Sequence, residues 1–460
     1  MSNFWDFSVW GSFNVIAVLL VSLLAANVMK RHIKILRNSL IPTSVLGGGL
    51  LIGVAGIYKL ITGDIMFDTP FFGGSGTITL EILTYHCLAL GFIASAFKTS
   101  DEALSKKRLE EIFNTGVTTV ATYLLQAIVG FAVSMIAVLF MKEFFQAAGV
   151  LLPFGYGQGT GQAMNYGTIY ETDFGFVGGK SFGLTIAALG FISASLGGVL
   201  YLNRPKMRAR LIENADKKYR LNSEVIETEN EIPMQESMDK MTFQIALIAT
   251  AYLLSYLLMY VLGMLLPGMK SVIFGFNFLL GVLAATIVKA AMKIFRKWHW
   301  NTRDYTNNFL MTRASNFFFD LMVVAGIAAI RLGVLQNYWG IILIMGILGA
   351  FATYWYTLMV SKTLFKDYPE EQFLAMYGML TGTASTGIIL LREIDGDFKT
   401  PAADNMVYQN FPAIVFGFPM MLLATLAPVK PTLTMIIFIA FFTIMNIILF
   451  RSKIFKKKSK

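Results

Sequence analysis

The sequence predicts an all-α polytopic membrane protein, built as an inverted 5+5 transmembrane repeat with two re-entrant hairpins and an extra C-terminal transmembrane helix. Three observations predict it. Of 460 residues, 55% are hydrophobic and only 14% charged, against about 25% charged in an average soluble protein. Eleven apolar runs are each long enough to cross a hydrocarbon core of about 30 Å, which takes about 20 helical residues. A Gly-x-x-x-Gly-Thr pattern also occurs twice, at Gly155–Thr160 and Gly378–Thr383, in matching places of the two halves.

The runs fall at approximately 9–29, 40–61, 77–97, 115–141 and 176–202, then 242–266, 271–294, 311–332, 339–361, 402–427 and 431–450. No Lys or Arg precedes the first run, and Lys30, Arg31, Lys34 and Arg37 follow it directly, so it reads as an uncleaved first helix entering from outside. With that orientation, 28 of the 38 Lys and Arg residues fall in predicted cytoplasmic segments and 3, Lys142, Lys270 and Lys430, in outer loops. The positive-inside rule therefore places the N-terminus outside and the C-terminus in the cytoplasm. The net charge of +10 reports topology and names no nucleic-acid partner. The partner it implies is the lipid bilayer.

The single cysteine, Cys87, forms no intrachain disulfide, and His32, His86 and His299 make no metal-ligand spacing. No nucleophile has a plausible base nearby, so no enzyme and no cofactor is expected. Gly155–Gly161 spaces as G-x-G-x-G-x-G after a helical run, which is no dinucleotide fingerprint. Phe154-Gly-Tyr-Gly157 resembles a potassium filter, but that needs four equivalent loops, and Tyr377-Gly-Met-Leu380 in the second copy lacks it.

The hydrophilic stretch 204–241 carries near-equal acid and base and reads as a cytoplasmic linker. It separates a first repeat, 1–203, from a second, 242–427. The remainder, 428–460, is an extra helix with a basic cytoplasmic tail. Each half holds five crossings, so the two have opposite orientation, an arrangement typical of secondary transporters with sites near the membrane midplane.

The Gly-rich stretches at about 147–169 and 373–391 are too broken for simple crossings, and a full crossing at either place would spoil the charge asymmetry downstream. Re-entrant hairpins resolve the conflict, because irregular backbone at membrane depth survives only where it is buried in protein or lines a polar cavity. Gln158, Gly159, Thr160, Gly161, Gln162 and Asn165 in the first, with Thr381, Gly382, Thr383, Ser385 and Thr386 in the second, are the candidate binding residues. Their hydroxyl and carbonyl oxygens suit a hard cation, and helix N-termini beyond each Gly-Thr suit a carboxylate. The bland reading is that Gly and Thr only permit close helix packing.

Ionisable residues within spans are functional candidates by default. Arg313, Asn316 and Asp320 share one face of the eighth span, where Asp320 either faces an ion or proton path or neutralises Arg313. Tyr85 and His86 lie mid-span in the third. The tenth span is broken by Asn410-Phe-Pro412 and Phe418-Pro419, which adds Asn405 and Asn410 as candidates beside unwound backbone.

Across about Phe13–Pro428 the chain resembles the bacterial glutamate:sodium symporter family. The likeness rests on Ile41-Pro-Thr-Ser-Val-Leu-Gly-Gly-Gly-Leu50, Gly159-Thr160-Gly161, Phe182-Gly-Leu, Gly197-Gly198, and Gly382-Thr383 with its broken tenth helix. In the first hairpin, Tyr156-Gly157-Gln158 stands where family members carry Gly-Gly-His. The resemblance implies an elevator-like homodimer in the bacterial inner membrane, with sodium as coupling ion and glutamate or a related small carboxylate or amino acid as solute. A passive ion or solute channel and a proton-coupled carboxylate transporter are the alternatives.

Overall fold

The computed structural model describes residues 3–98, 105–207, 238–298, 306–395 and 399–454. Most of the expected linker and of the basic tail thus lies outside the described residues. The described chain is helical, with no strand among those residues. In order come α1 (Phe7–His32), α2 (Thr43–Thr62), α3 (Gly76–Phe97), α4 (Lys106–Phe140), α5 (Leu151–Phe174) and α6 (Gly179–Leu202). After the linker follow α7 (Lys240–Leu265), α8 (Asn277–Lys297), α9 (Asn308–Ala328), α10 (Trp339–Leu364), α11 (Pro369–Thr381) and α12 (Ala384–Arg392). Then come α13 (Ala402–Tyr408), α14 (Asn410–Leu426) and α15 (Pro431–Leu449), followed by one short turn at Arg451–Ile454.

Ten of the described helices are long and apolar enough to cross a membrane, and the bent pair α13–α14 would make an eleventh if it crosses as one span. This is a multi-pass membrane protein. The bend of 53° falls at the predicted Asn410-Phe-Pro412 break, where Pro412 has no N–H to continue the ladder. The second predicted break is absent, since Pro419 sits inside α14; Ser/Thr, neighbouring helices and small local adjustments let membrane helices carry such prolines.

Local chemistry sets the ends. Lys30, Arg31 and His32 occupy the last turn of α1, where cations complement the helix dipole. Ser105 caps α4 by accepting from the Arg108 amide, the Asp239 carboxylate accepts from the Met241 and Thr242 amides at the start of α7, and Asn307 caps α9. Gly63, with φ of 83°, closes α2 in the left-handed conformation.

The helices associate in recurring pairs. α1 packs on α2, as α7 does on α8; α2 packs on α9, as α8 does on α3; α3 lies against α9, and α4 against α10. Lipid tails are as apolar as leucine, so close packing of small residues drives such association. A Cβ on Gly149 would enter the Gly130 backbone, one on Gly183 would meet the Ala163 carbonyl, and one on Gly167 would approach the Gly179 carbonyl at 2.5 Å.

Candidate functional site

Segment α5 is interrupted at Gly159, whose φ of 80° and ψ of −171° lie in a region essentially restricted to glycine. The chain folds back there. The Phe154 and Tyr166 rings stack with centroids 3.8 Å apart, although twelve residues of straight helix would separate them by about 18 Å. At the other end Phe145 stacks on Phe176 at 4.8 Å and lies 5.2 Å from Tyr170. Helices α11 and α12 form a second fold-back around Gly382 and Thr383, with Gly378 pressed on Gly387. We call these hairpin 1 and hairpin 2.

The two turns meet. A Cβ placed on Gly159 would lie 3.3 Å from Thr383 Cγ2 and 3.8 Å from the Gly382 carbonyl oxygen. Around them, Gly161 faces Leu88 of α3 and Met322 of α9, Gly326 of α9 faces Thr160, and the Thr381 carbonyl rests on Gly190 of α6. Helix α12 begins at Ala384 with no side-chain cap, and the second arm of hairpin 1 starts at Thr160, so two helix N-termini with their partial positive charge converge at one point.

Most predicted residues are gathered here. Thr160 is fully buried, with Oγ1 3.4 Å from the Met322 carbonyl oxygen. The Thr383 and Thr386 hydroxyls are 3.4 Å apart, Thr381 donates to the Tyr377 carbonyl, and Ser385 is half-buried. Asn165 Nδ2 donates to Gln162 Oε1 at 2.9 Å and to the Gly275 carbonyl. The Nε2 atoms of Gln158 and Gln162 are buried with no partner among the described residues, which is costly for an amide donor unless something else accepts from it. The tip of hairpin 1 thus holds two spare N–H donors, one on either side of Gly159, beside two positive helix ends, a setting that suits an anionic oxygen.

Other predicted residues lie elsewhere. Asn316 and Asp320 share an exposed face of α9 with Arg313, whereas α9 meets the tips through Met322, roughly 200° further round the helix from Asp320. Arg313 lies over the Phe309 ring at 4.9 Å, and among the described residues no ion pair joins it to Asp320. Asn405 belongs to a separate network on the far side of hairpin 2: it accepts from Arg108 at 3.0 Å and donates to Tyr368 Oη and Gln372 Oε1. Asn410 accepts from its neighbour Gln409. His86 contacts the Tyr252 hydroxyl between α3 and α7.

Two residues that motif spacing does not single out hold the tips, Tyr123 and Gln126 of α4. Tyr123 donates to the Gly157 carbonyl at 2.9 Å, and Gln126 donates to the Leu380 carbonyl and Thr353 Oγ1, both at 2.8 Å. A glutamine within the apolar run 115–141 is the signal the sequence offers. A cavity of about 500 Å³ lies apart from the tips, at the base of hairpin 1, lined by Phe145, Phe174, Phe176 and Tyr338 with Glu143; its composition is that of an interfacial aromatic belt. No protein-family model matches the chain, and no curated protein matches it.

Proposed function

We propose that this protein is a secondary active transporter that brings glutamate or a related small carboxylate or amino acid into the cell together with sodium. The reading is carried by one observation, the meeting of the two Gly-Thr turns, Gly159 against Thr383. Neutral oxygens from Thr160, Thr383, Ser385 and Thr386 would accept a cation, and the Gln158 and Gln162 amides with the paired helix N-termini would hold the carboxylate. Each net positive charge carried inward is favoured by about 2.3 kcal/mol per 100 mV of inside-negative potential.

The mirrored helix pairs support an inverted repeat. The correspondence reaches single residues: Gly48 of α2 faces Ile327 of α9, and Gly281 of α8 faces Ile93 of α3, with counterparts separated by nearly the same distance along the chain. Both hairpins enter and leave on one side in this reading, hairpin 1 from outside and hairpin 2 from the cytoplasm. Inverted repeats around a midplane site support alternating access. An elevator-like movement, a homodimer, a bacterial inner-membrane location, an outside N-terminus and a cytoplasmic C-terminus complete the proposal.

The test is uptake of L-glutamate into proteoliposomes. Accumulation above the external concentration, dependent on an inward sodium gradient, is expected, and Thr160→Val and Thr383→Val each abolish it while the protein stays folded. Accumulation indifferent to sodium but driven by a proton gradient would replace the coupling ion. Flux that dissipates but never exceeds an imposed gradient would make the protein a channel, and wild-type uptake by both threonine variants would remove the hairpin tips from the site.

A further inference from the structure

We infer that Tyr123 and Gln126 are positioning residues through which a single helix, α4, sets the spacing of the two hairpin tips and thereby the affinity of the site. The inference rests on the reading of the tips as the solute site. Its basis is a correspondence in where the two bonds end. Tyr123 Oη donates to the carbonyl two residues before Gly159, that of Gly157. Gln126 Nε2 donates to the carbonyl two residues before Gly382, that of Leu380. Each is among the last carbonyls of a first arm, which the break deprives of a following amide.

The donors are three residues apart, hence neighbours on one face of α4. Neither bond touches a side chain of the tips, so both act on backbone position alone. The Tyr123 ring lies against the Gly157 Cα with no room for a Cβ, and a second bond from Gln126 to Thr353 Oγ1 fastens the same amide to α10. Gln126 Oε1, fully buried, has no partner among the described residues. A leucine or methionine would fill that volume without burying an unpaired acceptor, so bulk alone does not explain a glutamine. Loss of either bond frees one tip relative to the other and loosens the Gly159–Thr383 contact.

The experiment uses the full chain with its one cysteine removed (Cys87→Ala), carrying Gln126→Leu or Tyr123→Phe. In proteoliposomes with an inward sodium gradient and L-glutamate as probe, KM is expected to rise about three- to tenfold, as for one lost hydrogen bond, with the maximal rate within about twofold of the parent. A second readout needs no solute: Ser385→Cys, added to each background, is labelled by a charged thiosulfonate reagent, and the rate is expected to rise at least about threefold as the tip loosens. Unchanged KM and unchanged labelling in folded, monodisperse protein would overturn the inference, as would a loss of maximal rate with KM and labelling at parent values. Should the parent show no L-glutamate uptake, the transport reading fails while labelling alone still decides: faster supports the clamp, unchanged overturns it. Should Gln126→Leu not fold, Tyr123→Phe, which removes one oxygen atom, decides in the same way.

Discussion

Hairpin 1 is buried along both arms, from Leu151 to Gly157 and from Gly159 to Gly167, whereas hairpin 2 buries its first arm, Glu371 to Gly382, and leaves its second partly open, with Ala384 exposed and Thr383, Ser385, Ile388 and Ile389 half-buried. Their neighbours differ accordingly. Hairpin 1 packs on α3, α4, α6 and α9, and the Tyr166 and Tyr170 hydroxyls bind carbonyls of α14. Helix α12 packs on α11, with smaller contacts to α6 and α13. Segments with few buried contacts open at the least free-energy cost. The proposed site thus has one fixed wall and one lightly held wall, and in the transporter reading, with hairpin 2 entering from the cytoplasm, the solute leaves past α12.

The largest expected effect tests the fixed wall. Gly159→Ala forces an L-residue into the nearly glycine-only region at φ 80°, ψ −171°, at a cost of about 1–3 kcal/mol. Gly382, with φ of −143° and ψ of −106°, lies outside the positive-φ region, and an added methyl there would crowd the Thr386 hydroxyl at 2.8 Å, a group able to turn away, and the Gly378 carbonyl at 3.1 Å. Gly159→Ala is expected to lower the melting temperature in detergent clearly more than Gly382→Ala. Equal losses would break the comparison.

The contrast between the walls was only half legible in the sequence. The ten long apolar helices follow from apolar runs because a bilayer imposes their length, and both turns follow from Gly-Thr because only special backbone tolerates such breaks at depth. The Asn410-Phe-Pro412 bend was legible for the same covalent reason. What spacing cannot carry is long-range packing. Nothing near Gly157 or Leu380 announces donors on α4, and Gly197-Gly198 gives no hint that they receive Tyr377 and Leu390 of hairpin 2. Asn405 shows the converse limit. Its place beside a broken helix makes it a candidate ligand, while its side-chain bonds run to Arg108, Tyr368 and Gln372.

That network yields the next prediction. Asn405 is fully buried and joins α4 to the first arm of hairpin 2, where Gln372 also donates to Thr115. Asn405→Ala leaves the Arg108 guanidinium and Gln372 Oε1 each short of a partner, a loss of about 1–3 kcal/mol. Thermal stability is expected to fall while the KM for L-glutamate stays within about twofold of the parent. A raised KM with unchanged melting would return Asn405 to the binding site and make the first arm a part of the wall that contacts solute.

The smallest effect belongs to the base of hairpin 2, where Lys107 Nζ of α4 lies 2.7 Å from Asp367 Oδ2, with side chains 71% and 69% exposed. The hydrogen bond from Lys107, helped by its charge, holds the Asp367 carboxyl below its ordinary value of 3.8. A carboxyl with a depressed folded value stabilises the fold above its unfolded pKa, and that contribution is lost as pH falls from about 4 through the lowered value. Water and salt screen a pair this exposed. Asp367→Asn is therefore expected to leave the melting temperature at pH 7 and about 0.15 M salt unchanged within error, and to flatten slightly its decline below about pH 4. A drop of several degrees at pH 7 would mean that this contact carries the second hairpin, and that its base is clamped as firmly as the buried arms of the first.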